Sequence, residues 1–102
     1  MRLVNAEALV KAARKHRDAA SALRAWIAIV EDARWENLED VRQTYPATDG
    51  VVVPSGAVVT VFNIRGNNYR LLTRVSYRAQ VVQAIDLLTH AEYDKEQWKR
   101  RL

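Results

Sequence analysis

The sequence predicts an α+β fold, with N-terminal helices packed on an antiparallel, mixed-edge sheet and a short C-terminal helix. Three observations carry this. The first half holds two stretches with apolar residues at helical spacing. The second half is rich in Val, Tyr, Phe and Thr and is broken by Pro54, Gly56 and the turn "RGNN". Helical and strand-like segments are segregated along the chain rather than alternating. A chain of 102 residues supports one hydrophobic core, so residues 1–102 are expected to be a single domain.

The elements follow in order. "MRLV" predicts a short opening strand, and Asn5 is placed to cap the next helix through its side-chain oxygen. Ala6, Leu9, Val10 and Ala13 lie on one helical face over 6–16. Asp18 is expected to cap a second helix from Ala19 to Ala33, whose stripe of Leu23, Trp26, Ile27 and Val30 makes it the main core helix. "NLEDVRQTY" predicts a third short helix from Asn37, ended by "YPATDG". Strands are expected near 50–54, 57–64, 68–77 and 80–88, joined as hairpins, with a final helix from Asp94 to Arg100.

Composition narrows the function classes. Hydrophobic content of 49% with 27% charged residues is ordinary for a soluble globular protein. No apolar run is long enough to span a bilayer, and "MRLVNAEALVKAARK" carries charges where a signal peptide needs its apolar segment. No membrane contact is therefore expected. The chain has no cysteine, which excludes disulfides and thiolate catalysis and makes a cytoplasmic location the expectation. Its two histidines, His16 and His90, lie far apart in sequence, so no metal site and no cofactor are expected.

The formal charge of +4 is unevenly placed. Residues 1–50 carry eight basic and eight acidic side chains, whereas residues 51–102 carry eight basic against four acidic. No acid occurs between Asp49 and Asp86, where Arg65, Arg70, Arg74 and Arg78 fall. A field of this kind suits a polyanion better than a neutral metabolite.

Period-two alternation puts Tyr69, Leu71, Thr73, Val75 and Tyr77 on one face of a strand and Arg70, Leu72, Arg74 and Ser76 on the other. Arg70 and Arg74 would stand roughly 13 Å apart, a spacing that brackets nearby phosphates. The bland reading is a solvated sheet face carrying arginines. The turn "RGNN" offers a cation beside residues that tolerate positive φ; such turns bind anions, though most are simply hairpin turns. An imidazole at His90 is a candidate for proton transfer, against the plain reading of a structural or exposed histidine. Tyr93 reads equally as a core aromatic, Lys95 as a solvated helix charge, and Trp98 as core packing. Paired carboxylates, a Ser-His-Asp set and a phosphate loop are all missing. RNA cleavage needs none of them, because the substrate's own 2′-hydroxyl is the nucleophile and His, Tyr, Lys and Arg supply the rest.

"FNIRGNNYRLLTRVSY" followed by "LLTHAEYDKEQW" resembles the HigB group of toxins, relatives of RelE in type II toxin–antitoxin modules, most sharply over Phe62 to Trp98. The resemblance implies a RelE-like fold and an endoribonuclease, an mRNA interferase that cuts messenger RNA on the translating ribosome and is neutralised by a cognate HigA-like helix-turn-helix antitoxin. Operator DNA would be met only through that antitoxin. Asn67 and Arg70 match the turn motif, and His90, Glu92, Tyr93 and Asp94 match the ending. Together with the charge pattern, this gives a candidate catalytic set of His90, Arg70, Tyr93 and Arg74. Arg65, Asn67, Arg78, Lys95 and Lys99 are the candidate RNA-binding residues. The competing readings are a growth inhibitor of the broader RelE/ParE fold that acts on a protein such as a topoisomerase, and a nucleic-acid-binding module without nuclease activity.

Overall fold

The structure is a computed structural model and describes residues 1–102. Strand β1 (Arg2–Val4) leads into helix α1 (Ala6–Lys15), a 3-10 turn (Arg17–Ala19), α2 (Ala20–Asp32) and α3 (Leu38–Thr44). Strands β2 (Asp49–Val52), β3 (Val58–Ile64), β4 (Tyr69–Ser76) and β5 (Val81–Thr89) follow. Helix α4 (His90–Asp94) and a second 3-10 turn (Gln97–Arg101) close the chain. The sheet has the order β1-β5-β4-β3-β2; β1 runs parallel to β5 and the other pairs are antiparallel, so the sheet is mixed at one edge. The α+β class, with helices packed on a sheet mixed at one edge, is as the sequence predicts.

The helices cover one sheet face. Trp26, Leu23 and Val30 of α2 are fully buried with Phe62 and Leu71 from the sheet. Phe62 receives Trp26 edge-on at 5.3 Å and Tyr45 edge-on at 5.5 Å, geometries favoured by the aromatic quadrupole. The opposite face, expected to be solvated, carries a second core of Val53, Val59, Val61, Leu72, Leu88 and Trp98. Leu72, between Arg70 and Arg74, is fully buried there. The C-terminal segment provides the cover, so each β4 face is apolar in its middle. A bulge interrupts the β4–β5 ladder: Leu72 pairs with Asp86 and Thr73 with Ala84, which leaves Ile85 as the extra residue.

Four local expectations are corrected. Asn5 does not cap α1 with its side chain; it adopts φ 61°, and its Nδ2 donates to the Ala84 carbonyl at 2.8 Å. The three-residue β1 ends opposite Gln83, and the Asn5 amide serves the next β5 carbonyl. Asp18 caps nothing, because a 3-10 turn precedes α2 and its carboxylate is engaged across the fold by Tyr69. Positive φ in the "RGNN" turn belongs to Arg65 (53°) and Gly66 (62°), not to the asparagines. The last helix from Asp94 to Arg100 is instead two short pieces divided at Glu96 (φ 61°), the first beginning at His90. A strong start signal explains the early beginning: Thr89 Oγ1 accepts from the Glu92 N–H at 3.1 Å, and Glu92 Oε1 accepts from the Thr89 N–H at 2.9 Å. The third helix does start at Asn37, whose Oδ1 accepts from the Asp40 N–H at 2.9 Å.

Candidate active site

The site is built where the β3–β4 turn meets the start of α4. Ile64 pairs with Tyr69 across the turn and Tyr69 pairs with Thr89, so "RGNN" and "THAEYD" arrive at the same end of the sheet. The His90 N–H donates to the Asn68 carbonyl at 3.1 Å, which ties the two segments directly.

Asn67 positions Arg70. Its Oδ1 accepts from one Arg70 terminal nitrogen at 2.6 Å and its carbonyl from the other at 3.2 Å. The guanidinium lies over the Tyr93 ring, 5.7 Å from its centroid. Tyr93 stacks on Trp98 at 5.2 Å with the rings 16° from parallel, and Trp98 Nε1 donates to the Tyr93 carbonyl at 3.0 Å. Lys99 stands over the other ring of the stack, 5.8 Å from the Trp98 centroid, and pairs with Glu96 at 2.8 Å. The result is a stack of Arg70, Tyr93, Trp98 and Lys99 in which the buried indole fixes the two residues closest to the turn. Burial raises the Tyr93 phenol pKa above its ordinary value, so it stays protonated near neutrality.

His90 opens α4 with its ring half exposed and its Nε2 3.4 Å from Asp94 Oδ2. It lines an open cleft of about 420 Å³ with Asn67, Asn68, Tyr69, Thr89, Ala91 and Asp18. Asn67 therefore faces the cleft while holding Arg70. Glu92, which matches the ending of the resemblance, is committed to the capping box; the Thr89 N–H holds its carboxyl below the usual carboxylate range.

Sequence reasoning missed Asp18 and Tyr69. The Tyr69 hydroxyl donates to Asp18 Oδ1 at 2.6 Å, and Arg65 lies 3.4 Å from Asp18 Oδ2. The Tyr69 hydrogen bond, helped by Arg65, depresses the Asp18 pKa and, reciprocally, raises that of Tyr69. No local pattern links residues 51 positions apart. The remaining sequence-predicted site residues stand apart. Arg74 pairs in register with Gln83, far along β4 from Thr89, and Arg78 follows beyond the strand end; both are exposed. Lys95 lines a different cleft with Glu92, Gln97 and Arg101. No group of three or more His, Cys, Asp or Glu side chains is placed to hold a metal ion.

The depressed carboxylates give an expected acid limb. Asp18 and Glu92 both have folded pKa values below the unfolded ones, so their stabilisation is complete above the unfolded values and is lost as pH falls through the folded ones. Thermal unfolding followed from neutral pH into the acid range should show a falling melting temperature below the ordinary carboxylate range. Asp18→Asn should flatten the part of that limb due to Asp18; an unchanged limb would mean that its link to Tyr69 contributes nothing.

A family model described as HigB_toxin, RelE-like toxic component of a toxin-antitoxin system, matches residues 19–96, about three quarters of the chain. No curated protein matches. The matched span runs from the start of α2 through α4, so it contains the "RGNN" turn, His90 and Tyr93 and extends well before Phe62, where the resemblance in sequence is sharpest. No helix is long and apolar enough to cross a membrane. On the turn, the helix start and the sheet that joins them, the chain belongs to the HigB toxin family, RelE-like toxic components of toxin–antitoxin systems.

Proposed function

We propose that the protein is an endoribonuclease that cuts messenger RNA on the translating ribosome and so arrests growth in the cytoplasm. The observation that carries this reading is the convergence of Arg65, Asn67 and Arg70 with His90 and Tyr93 at one end of the sheet. In this reading RNA lies across the turn with a phosphate near Arg70. His90 takes the proton from the 2′-hydroxyl, whose oxygen attacks the adjacent phosphorus, and the bond to the leaving 5′-oxygen breaks as that oxygen takes a proton from the Tyr93 phenol. Arg70, preset by Asn67, and Arg65, held by Asp18, neutralise the charge that builds on the phosphorane. Tyr93 stacks under Arg70 and offers a protonated phenol; Lys99 adds positive charge to the stack, and Arg74, Arg78 and Lys95 are more distant cations for the RNA backbone. A HigA-like helix-turn-helix antitoxin would hold the protein inactive and carry it to operator DNA.

The test is induction in growing cells with RNA integrity followed in parallel. Growth should stop with messenger RNA cut within minutes, and co-expression of the neighbouring antitoxin gene should restore growth and yield a stable complex. Accumulation of wild-type protein without slowed growth would remove the reading. Arrest with DNA damage and intact messenger RNA would instead identify an inhibitor of a topoisomerase.

A further inference from the structure

The neutral charge balance of the first half conceals a local cluster. No acid occurs between Glu7 and Asp18, and Lys11, Arg14, Lys15, His16 and Arg17 all fall there. The fold brings this second acid-free stretch to the same end of the sheet as the first. The His16 ring packs against Tyr69 at a centroid distance of 4.9 Å, and Tyr69 walls the His90 cleft on its other side. Lys15 and His16 are also near enough to Glu92 of α4 to help keep its carboxylate ionised.

Between α1 and β5 lies a cleft of about 410 Å³, with Lys11, Lys15 and His16 on the helix side and Asp86 on the strand side, over a floor that includes Ala12 and Leu87. Lys11 and Lys15 are exposed and make no ion pair. The one carboxylate lining the cleft is already engaged: Asp86 accepts from the Leu87 N–H at 2.8 Å and lies 3.8 Å from Arg101. Lys11 and Lys15 are one helical turn apart, about 6 Å along the axis at 1.5 Å per residue. That separation is of the order found between successive phosphates of an extended nucleic-acid strand. The whole of α1, with Lys11 and Lys15, precedes the span matched by the family model, whereas the β5 side of the cleft lies inside it.

We propose that the α1–β5 cleft is a second binding site for the RNA backbone, in which Lys11 and Lys15 take phosphates of the strand that leaves the His90 cleft past Tyr69 and His16. It rests on the RNA-cleaving reading and adds to it a path of defined direction. Single-stranded RNA binding loses about 0.7 in the slope of log affinity against log salt for each phosphate contact removed.

The experiment uses a short single-stranded RNA with 2′-O-methyl groups throughout, which lacks the nucleophile, and follows its fluorescence anisotropy with each protein over a series of potassium chloride concentrations. Lys11→Gln/Lys15→Gln should lose roughly 1.4 in slope, two contacts at about 0.7 each, with an unchanged melting temperature because both side chains are exposed. Arg34→Gln, which removes a charge on the loop after α2 near Trp35, should leave the slope as in wild type. A double variant with wild-type slope and affinity, from a protein that still cuts messenger RNA, would overturn the site while the nuclease stands. A double variant that binds RNA normally but no longer captures the antitoxin would also overturn it and make the cleft a protein contact. Wild type that neither binds this RNA nor cuts messenger RNA would overturn both readings.

Discussion

Arg70→Ala is expected to abolish or greatly weaken messenger RNA cleavage while leaving the protein folded. The guanidinium is the cation that Asn67 fixes in the turn and Tyr93 supports from below. Its removal takes charge stabilisation from the phosphorane, and loss of one such group costs about 10²–10³ in rate. The stability cost should stay near 1 kcal/mol, the size of a partly exposed cation–π contact. The neighbouring Leu71→Ala should do the reverse. Leu71 is fully buried in the core beneath the helices. Emptying that volume should cost roughly 2–5 kcal/mol of folding stability, with the activity of the folded fraction kept. Thermal unfolding and cleavage on translating ribosomes separate the two. An Arg70→Ala protein that unfolds but cleaves normally when folded would place the arginine in the structure and outside the chemistry.

The second large effect is expected from His90. His90→Gln keeps polarity and the backbone link to Asn68 but removes the imidazole proposed to carry the proton. Cleavage should fall about 10²–10⁴-fold, the usual contribution of a positioned acid or base, while binding of uncleavable RNA stays as in wild type. The helix start should survive, because Thr89 and Glu92, not His90, form the capping box. Equal cleavage by the variant and wild type would reduce His90 to a residue that closes the cleft. Asp94→Asn offers an intermediate measure: with the carboxylate 3.4 Å from Nε2 replaced, the ring loses its ionic contact, and cleavage should fall less than in His90→Gln.

The apolar periods of α1 and α2, the Asn37 cap and the apolar, strand-like runs of β3, β4 and β5 are local patterns, and the sequence by itself determined those elements and the α+β class. It also determined that the arginine-bearing turn and the His–Tyr ending are the polar features of a basic half. Period two alone put Leu71 toward one face and Leu72 toward the other, and both are fully buried. What covers Leu72 is Trp98, 26 residues further on, and a strand pattern carries no information about such a cover. Only the tertiary structure decided which cations meet. Arg70 and Arg74 share a strand face, yet pairing of Tyr69 with Thr89 brings Arg70 to the His90 end and leaves Arg74 opposite Gln83. Asp18 reads locally as a helix cap and becomes the anchor of Tyr69 and Arg65 because the fold sets the 3-10 turn that carries it against the β3–β4 turn. Hydrogen-bond preferences along the chain act over three or four residues, whereas a cleft is assembled by sheet register, which only the packed core fixes.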